Sequence, residues 1–175
     1  MTNQRKMFVP VEALCKEFKK ALKKNISFDV VTVVGEGEPT LYAGLGELID
    51  GLKARTEKPV AVITNGALLY DRSVREELGK ADIVLPSLDA VSEEMFRKIN
   101  RPYGKLDYQA ITDGLIQFSN EYKGQLYLEI MLLEGVNCGD ADIKAFAQIV
   151  EKIHCDRIYV NTPVRPPAED NVTAA

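Results

Sequence analysis

Five short apolar runs, separated by segments of helical period, constrain this chain more than anything else in it. The runs cover 28–34, 59–64, 82–86, 125–133 and 156–161. Between and before them, apolar residues recur at three- and four-residue spacing over 10–24, 45–55, 71–79, 92–100, 107–122 and 140–153, the signature of amphipathic helices. Pro10 stands in the first turn of the first helix, where a missing N–H costs nothing, and lysines crowd its end, where they suit the helix dipole. Strands apolar on both faces, alternating with helices, predict a parallel α/β sheet covered by helices. No linker or internal repeat divides the 175 residues, so one domain is expected over 1–167, with a loose tail over 168–175. The chain opens on a helix with no strand ahead of it, an order that predicts an element missing upstream.

Composition narrows the class. With 46% apolar and 27% charged residues, the chain resembles an ordinary water-soluble globular protein. A net charge of −4 argues against a general nucleic-acid or anionic-membrane surface. No apolar run approaches the roughly 20 residues that span a bilayer. The basic N-terminus lacks the apolar stretch of a signal peptide, and a cytoplasmic location is the expectation. Cys15, Cys138 and Cys155 are scattered, with neither a C-x-x-C pair nor metal-type spacing. Cys15 falls among Val11, Leu14, Phe18 and Leu22 and reads as a core residue, while His154 reads as structural or solvated. The lysines at 19, 20, 23 and 24 read as a solvated helix face.

In parallel α/β folds, ligands bind beyond the carboxyl ends of the strands. Those ends are Gly35-Glu-Gly-Glu-Pro39, Thr64-Asn-Gly66, Pro86-Ser-Leu-Asp-Ala90, Glu134-Gly-Val-Asn137 and Asn161-Thr-Pro163. Each is polar, small or glycine-bearing, although the strand behind it is apolar. In the first, Glu36 and Glu38 would share a face if strand geometry continued, and Pro39 ends the ladder by removing a donor. Carboxylates and carbonyls at a strand tip suit a cationic group such as an ammonium, unlike a phosphate loop, which offers N–H groups. Glu129 interrupts an apolar strand on the face of Tyr127 and Met131; a buried carboxylate needs a partner, either a structural ion pair or a ligand.

Together these ends resemble the radical S-adenosylmethionine superfamily over nearly the whole chain, from about Met7 to Pro167. The pieces that carry the resemblance are Gly35-Glu-Gly-Glu-Pro39, Ile63-Thr-Asn-Gly66, Ser87-Leu-Asp89, Glu129 and Gly135-Val-Asn137. The first is similar to the family's GGEP element, with Glu36 in place of its second glycine. Among subgroups the chain looks most like iron–sulfur oxidoreductases near the glycyl-radical activases and the tRNA wyosine-base enzymes. The resemblance implies a partial (β/α)6 TIM-like barrel with outer helices, here family strands two to six. It implies that Gly35, Glu36, Gly37, Glu38 and Pro39 bind the methionyl ammonium of S-adenosylmethionine, and that Ser87 and Asp89 face its ribose or methionyl group. Thr64 and Asn65 would line the same mouth, Glu129 would contact the cofactor, and Asn161 would flank the adenine.

The chain departs from the family in lacking the signature C-x-x-x-C-x-x-C, whose thiolates hold a [4Fe–4S] cluster. That motif belongs on the loop between the family's first strand and the first helix, so the expected missing strand and the missing cysteines are one omission. The family reaction, reductive cleavage of the cofactor to a 5′-deoxyadenosyl radical, is therefore expected of a longer protein and not of this chain alone. A cluster-free protein binding S-adenosylmethionine or another small ligand is the alternative, and an unrelated α/β enzyme a third. A bared first strand predicts edge-to-edge pairing through 28–34. The substrate is not legible; Arg165 would reach a substrate anion or simply face solvent.

Overall fold

A computed structural model describes residues 2–24, 26–35, 37–104, 106–164 and 173–175. In chain order it contains α1 (Val11–Leu22), β1 (Val31–Val33), a 3-10 turn (Pro39–Leu41), α2 (Leu45–Lys53) and β2 (Val60–Thr64). There follow α3 (Arg72–Leu78), β3 (Ile83–Pro86), α4 (Glu93–Ile99), α5 (Tyr108–Glu121), β4 (Gln125–Met131), α6 (Asp140–Val150) and β5 (Arg157–Asn161). All five strands form one sheet in the sequential order β1-β2-β3-β4-β5, and every neighbouring pair is parallel. Sequential parallel order with helical crossovers is the order of a partial (β/α) barrel.

Local chemistry accounts for where these elements start. Asp71, Ser92 and Asp107 each accept a hydrogen bond from a first-turn amide of α3, α4 and α5, satisfying donors that the helix cannot. Two aspartates ahead of strands pin the preceding strand. Asp82 accepts from the Val60 amide at 2.8 Å and Asp156 from the Leu126 amide at 2.8 Å. Asp82 also pairs with Lys53 at the end of α2, so one carboxylate joins a helix end to two strands.

The sheet's two faces differ, where the apolar strands had suggested two covered ones. Val60, Val62, Val84, Leu126, Leu128 and Ile130 alternate onto one face and are buried under the helices, with Leu45, Ile49, Leu78, Phe118 and Phe146 packed on them. On the other face Ile63, Leu85, Tyr127 and Glu129 are only half-buried. The helices therefore form an outer layer and leave a concave inner face open, as in a barrel segment. Cys15 lies in the helix-side core, and His154 and the lysines at 19, 20, 23 and 24 are exposed, as expected. The first strand is three residues long, not seven. It pairs on one side with β2, no pairing is found along its other edge among the described residues, and Val34 beyond it is 61% exposed.

The chain ends pack against the carboxyl rim of the sheet. Lys6 forms a parallel bridge with Tyr42. Ala174 bridges Leu133, and the Glu134 amide donates to the Thr173 carbonyl. The expected boundary at 167 and Arg165 lie outside the described residues.

Candidate functional site

Of the eleven residues singled out from the sequence, ten fall at the carboxyl rim, and Glu36 lies outside the described residues. The loop after β1 is organised by Glu38. Its Oε1 accepts from the Thr40 amide (3.0 Å), the Thr40 hydroxyl (2.8 Å) and the Thr64 hydroxyl (2.6 Å), while Oε2 accepts from the Asn65 amide (2.8 Å). Pro39 opens the 3-10 turn that brings Thr40 round to this carboxylate. Glu38 is thus a strut tying the β1 tip to the β2 tip, and a carboxylate oxygen offers about two acceptor sites, so Oε2 keeps one for a ligand. Thr40 is the buried partner that the sequence did not expose, because nothing in its spacing separates it from any loop threonine.

The centre of the rim is built from β3 and β4. The Ser87 amide donates to the Thr64 carbonyl, and the Leu88 amide to the Glu129 carbonyl, so Ser87 sits beside Glu129. Asp89 Oδ1 accepts from the Met131 amide (3.0 Å), and Oδ2 from Asn100 Nδ2 (3.3 Å). Burial pushes the Asp89 carboxyl above its ordinary range and Glu129 adds repulsion, against the Met131 and Asn100 hydrogen bonds. Such a carboxylate favours a cationic neighbour. Glu129 Oε1 accepts from Asn161 Nδ2 at 2.6 Å, and no ion pair involves Glu129 among the described residues. Its partner across the strands is thus an amide.

Asn137, fully buried, holds this centre together. Its Oδ1 accepts from the Leu133 amide (2.7 Å), and its Nδ2 donates to the carbonyls of Asp89 (3.0 Å) and Met131 (2.8 Å). In Gly135-Val-Asn137, whose role the sequence does not reveal, the Asn137 side chain is the fastener between the β3 and β4 tips. Side by side, Glu38, Thr64, Asn65, Ser87, Glu129 and Asn161 form an arc of acceptors and amides across all five strands. Between Glu38, Asn65 and Ser87 lies a hollow of about 340 Å3. It opens beside a groove of about 520 Å3 that runs past Asn100 to Thr2 and Asn3. A larger depression of about 610 Å3, at Lys19, Lys23 and Arg55, lies between the far ends of α1 and α2 and is a wide surface feature away from the rim.

Known proteins match this arrangement. The Radical SAM superfamily pattern matches residues 2–149. The chain belongs to that superfamily. A protein named "GTPase Obg" from Brachyspira hyodysenteriae is 38% identical over 95% of this chain and 25% of its own length. UPF0026 protein MJ1312 of Methanocaldococcus jannaschii is 34% identical over 96% of the chain and 53% of its own. The chain thus spans a quarter to about half of these relatives. A solved domain of pyruvate-formate lyase-activating enzyme from Bacteroides vulgatus superposes with a TM-score of 0.60 at 23% identity, covering 83% of this chain and 84% of that one, a likeness of fold.

As a radical SAM protein the chain invites a test of the family's two groups. S-adenosylmethionine fits the donor set: carboxylates and carbonyls for its ammonium, and a serine hydroxyl and amides for its hydroxyls and ring. The cluster does not fit. Cys15 is buried in the core, Cys138 sits beside Glu134, and burial pushes the Cys155 thiol up, with Asp156 adding to it, away from the thiolate that iron needs. Among the described residues no three His, Cys, Asp or Glu side chains are grouped to hold a metal.

Proposed function

We propose that this radical SAM domain binds S-adenosylmethionine along the carboxyl rim, as the cofactor-binding core of a radical SAM iron–sulfur enzyme. The observation that carries it is the unbroken arc from Glu38 through Ser87 and Glu129 to Asn161, in which the carboxylates of Glu38 and Glu129 accept hydrogen bonds from hydroxyls and amides. Glu38 Oε2 and the carbonyls around Gly35 and Gly37 would take the ammonium; Ser87 and Asp89 the ribose or methionyl group; Asn161 the adenine edge. The bound cofactor would supply a sulfonium with a cleavable S–C5′ bond. The residues of this chain orient it and hold its charge, and no redox step is assigned to them. Cluster-free binding is the second reading; under both, the cysteines of this chain are unsuitable for a cluster. Anaerobic reconstitution of this chain with iron and sulfide should then yield no cluster absorption.

Calorimetry tests the binding directly. The wild-type chain should bind S-adenosylmethionine saturably. Glu129→Ala should weaken it about tenfold, the effect of losing one interaction with a charged group. No saturable heat from the wild type counts against both readings.

A further inference from the structure

Arg5 ties the segment ahead of α1 to the turn beside the site. Arg5 Nε donates to the Thr40 carbonyl at 2.8 Å, Nη2 donates to the Tyr42 carbonyl at 3.2 Å, and Nη2 also pairs with Glu77 on α3. Around it, the Lys6 amide donates to the Leu41 carbonyl and the Ala43 amide to the Lys6 carbonyl, and the Tyr42 hydroxyl donates to the Val9 carbonyl at 2.7 Å. Helix α2 makes room for this clamp. A Cβ on Gly46 would stand 3.0 Å from Glu77 Cγ and 3.4 Å from its Cβ, so the bare glycine lets α3 close up until Glu77 reaches Arg5.

The connecting residue is Thr40, which is 1% exposed. Its amide and hydroxyl both donate to Glu38 Oε1, and its carbonyl accepts from Arg5. The 3-10 turn that carries it has few bonds of its own: Leu41 N–H to the Glu38 carbonyl and Tyr42 N–H to the Pro39 carbonyl. Without Arg5 the buried Thr40 carbonyl loses its partner, which favours a shift of the turn toward water. Glu38, no longer backed by Thr40, would then hold the Thr64 hydroxyl and the Asn65 amide more loosely.

We propose that Arg5 is a positioning residue that fixes the Glu38 carboxylate through Thr40, coupling the N-terminal segment to the cofactor rim. The proposal rests on the reading of Glu38 as a cofactor contact, yet its geometry is testable without cofactor. The Asn65 amide donates to Glu38 Oε2 and is not bonded to Arg5, so it reports Glu38 alone.

Amide exchange by NMR on the ligand-free chain decides it. Arg5→Met should speed exchange at Asn65 about tenfold, the loss expected for hydrogen bonds to a charged donor. Arg5→Lys retains the charge facing Glu77 but cannot serve both carbonyls. It should speed Asn65 similarly, and it carries the test if the Met variant does not fold. Faster exchange at Lys6 and Ala43 with Asn65 unchanged would overturn the proposal, since Arg5 would then merely fasten the segment. Wild-type exchange in Arg5→Lys would overturn it too, because charge rather than the carbonyl bonds would be holding the turn. Calorimetry with S-adenosylmethionine on the same proteins separates the two claims. Absence of wild-type binding defeats the functional reading and leaves exchange to judge Arg5. Equal affinity in wild type and Arg5→Met defeats the positioning role.

Discussion

Replacing Asn137 by alanine strips a fully buried amide from three main-chain partners: the Leu133 N–H and the Asp89 and Met131 carbonyls. An orphaned buried group costs about 1–3 kcal/mol, and neighbouring losses are not additive, so we expect a total of about 3 kcal/mol. For a chain of this size that corresponds to a fall of about 6–12 °C in Tm. Urea unfolding at neutral pH, with an unchanged m-value, is the assay. Asn137→Asp sharpens it. That side chain still accepts from Leu133 but turns an oxygen toward two carbonyl oxygens, so it should destabilise more than alanine. A loss under about 1 kcal/mol for Asn137→Ala, or an Asn137→Asp protein as stable as wild type, would refute the view that this amide fastens the β3 and β4 tips.

Other expectations follow from the same structure. Arg75 is 6% exposed and donates to the Leu69 and Tyr70 carbonyls as well as to Glu121. Arg75→Met should therefore cost about 2–3 kcal/mol, whereas Arg72→Met, which breaks an exposed pair with Glu76, should cost under about 0.5 kcal/mol by the same denaturation assay. Because burial raises the Asp89 carboxyl above its ordinary 3.8, the folded state binds that proton more tightly than the unfolded one. Stability should fall as pH rises from 3.8 through the folded value and remain lower above it. Asp89→Asn should abolish that fall and melt higher than wild type at neutral pH; parallel Tm–pH curves would contradict it. Through the edge of β1 that is unpaired among the described residues, with Ile26 at 62% and Val34 at 61% exposure, sedimentation should show concentration-dependent self-association that Val34→Lys suppresses. A monomer at every concentration would speak against edge pairing.

How far the sequence revealed this fold depended on the range of the signal. Strand and helix periodicity is local, so every expected element is present and most bounds agree within two residues. The end of α6, at Val150 and not 153, and β1 are exceptions: the residues of β1 have strand propensity throughout, but hydrogen bonding from one side sustains only Val31–Val33. The apolar run to 133 predicts a longer β4 than the one that stops at Met131. Beyond it the Leu132 amide turns to the Asn161 carbonyl and the Leu133 amide to the Asn137 side chain. Composition at the strand tips located the rim, but not its wiring. Glu38 read as a carboxylate free for a ligand, yet its partners Thr40 and Thr64 are hydroxyls whose role depends on tertiary distance. Arg5 stood in a short basic N-terminus with nothing to set it apart from Lys6. A single arginine that clamps two carbonyls and a glutamate far along the chain leaves no periodic trace.

The central claim is that the rim binds S-adenosylmethionine, and a titration of the labelled chain followed by amide chemical shifts tests it most directly. The account predicts saturable shifts confined to the tips, at Gly35, Gly37, Glu38, Asn65, Ser87, Asp89, Glu129 and Asn161, with the far ends of α1 and α2 silent. Shifts centred elsewhere, such as the depression at Lys19, Lys23 and Arg55, or no saturable shift at all, would contradict it.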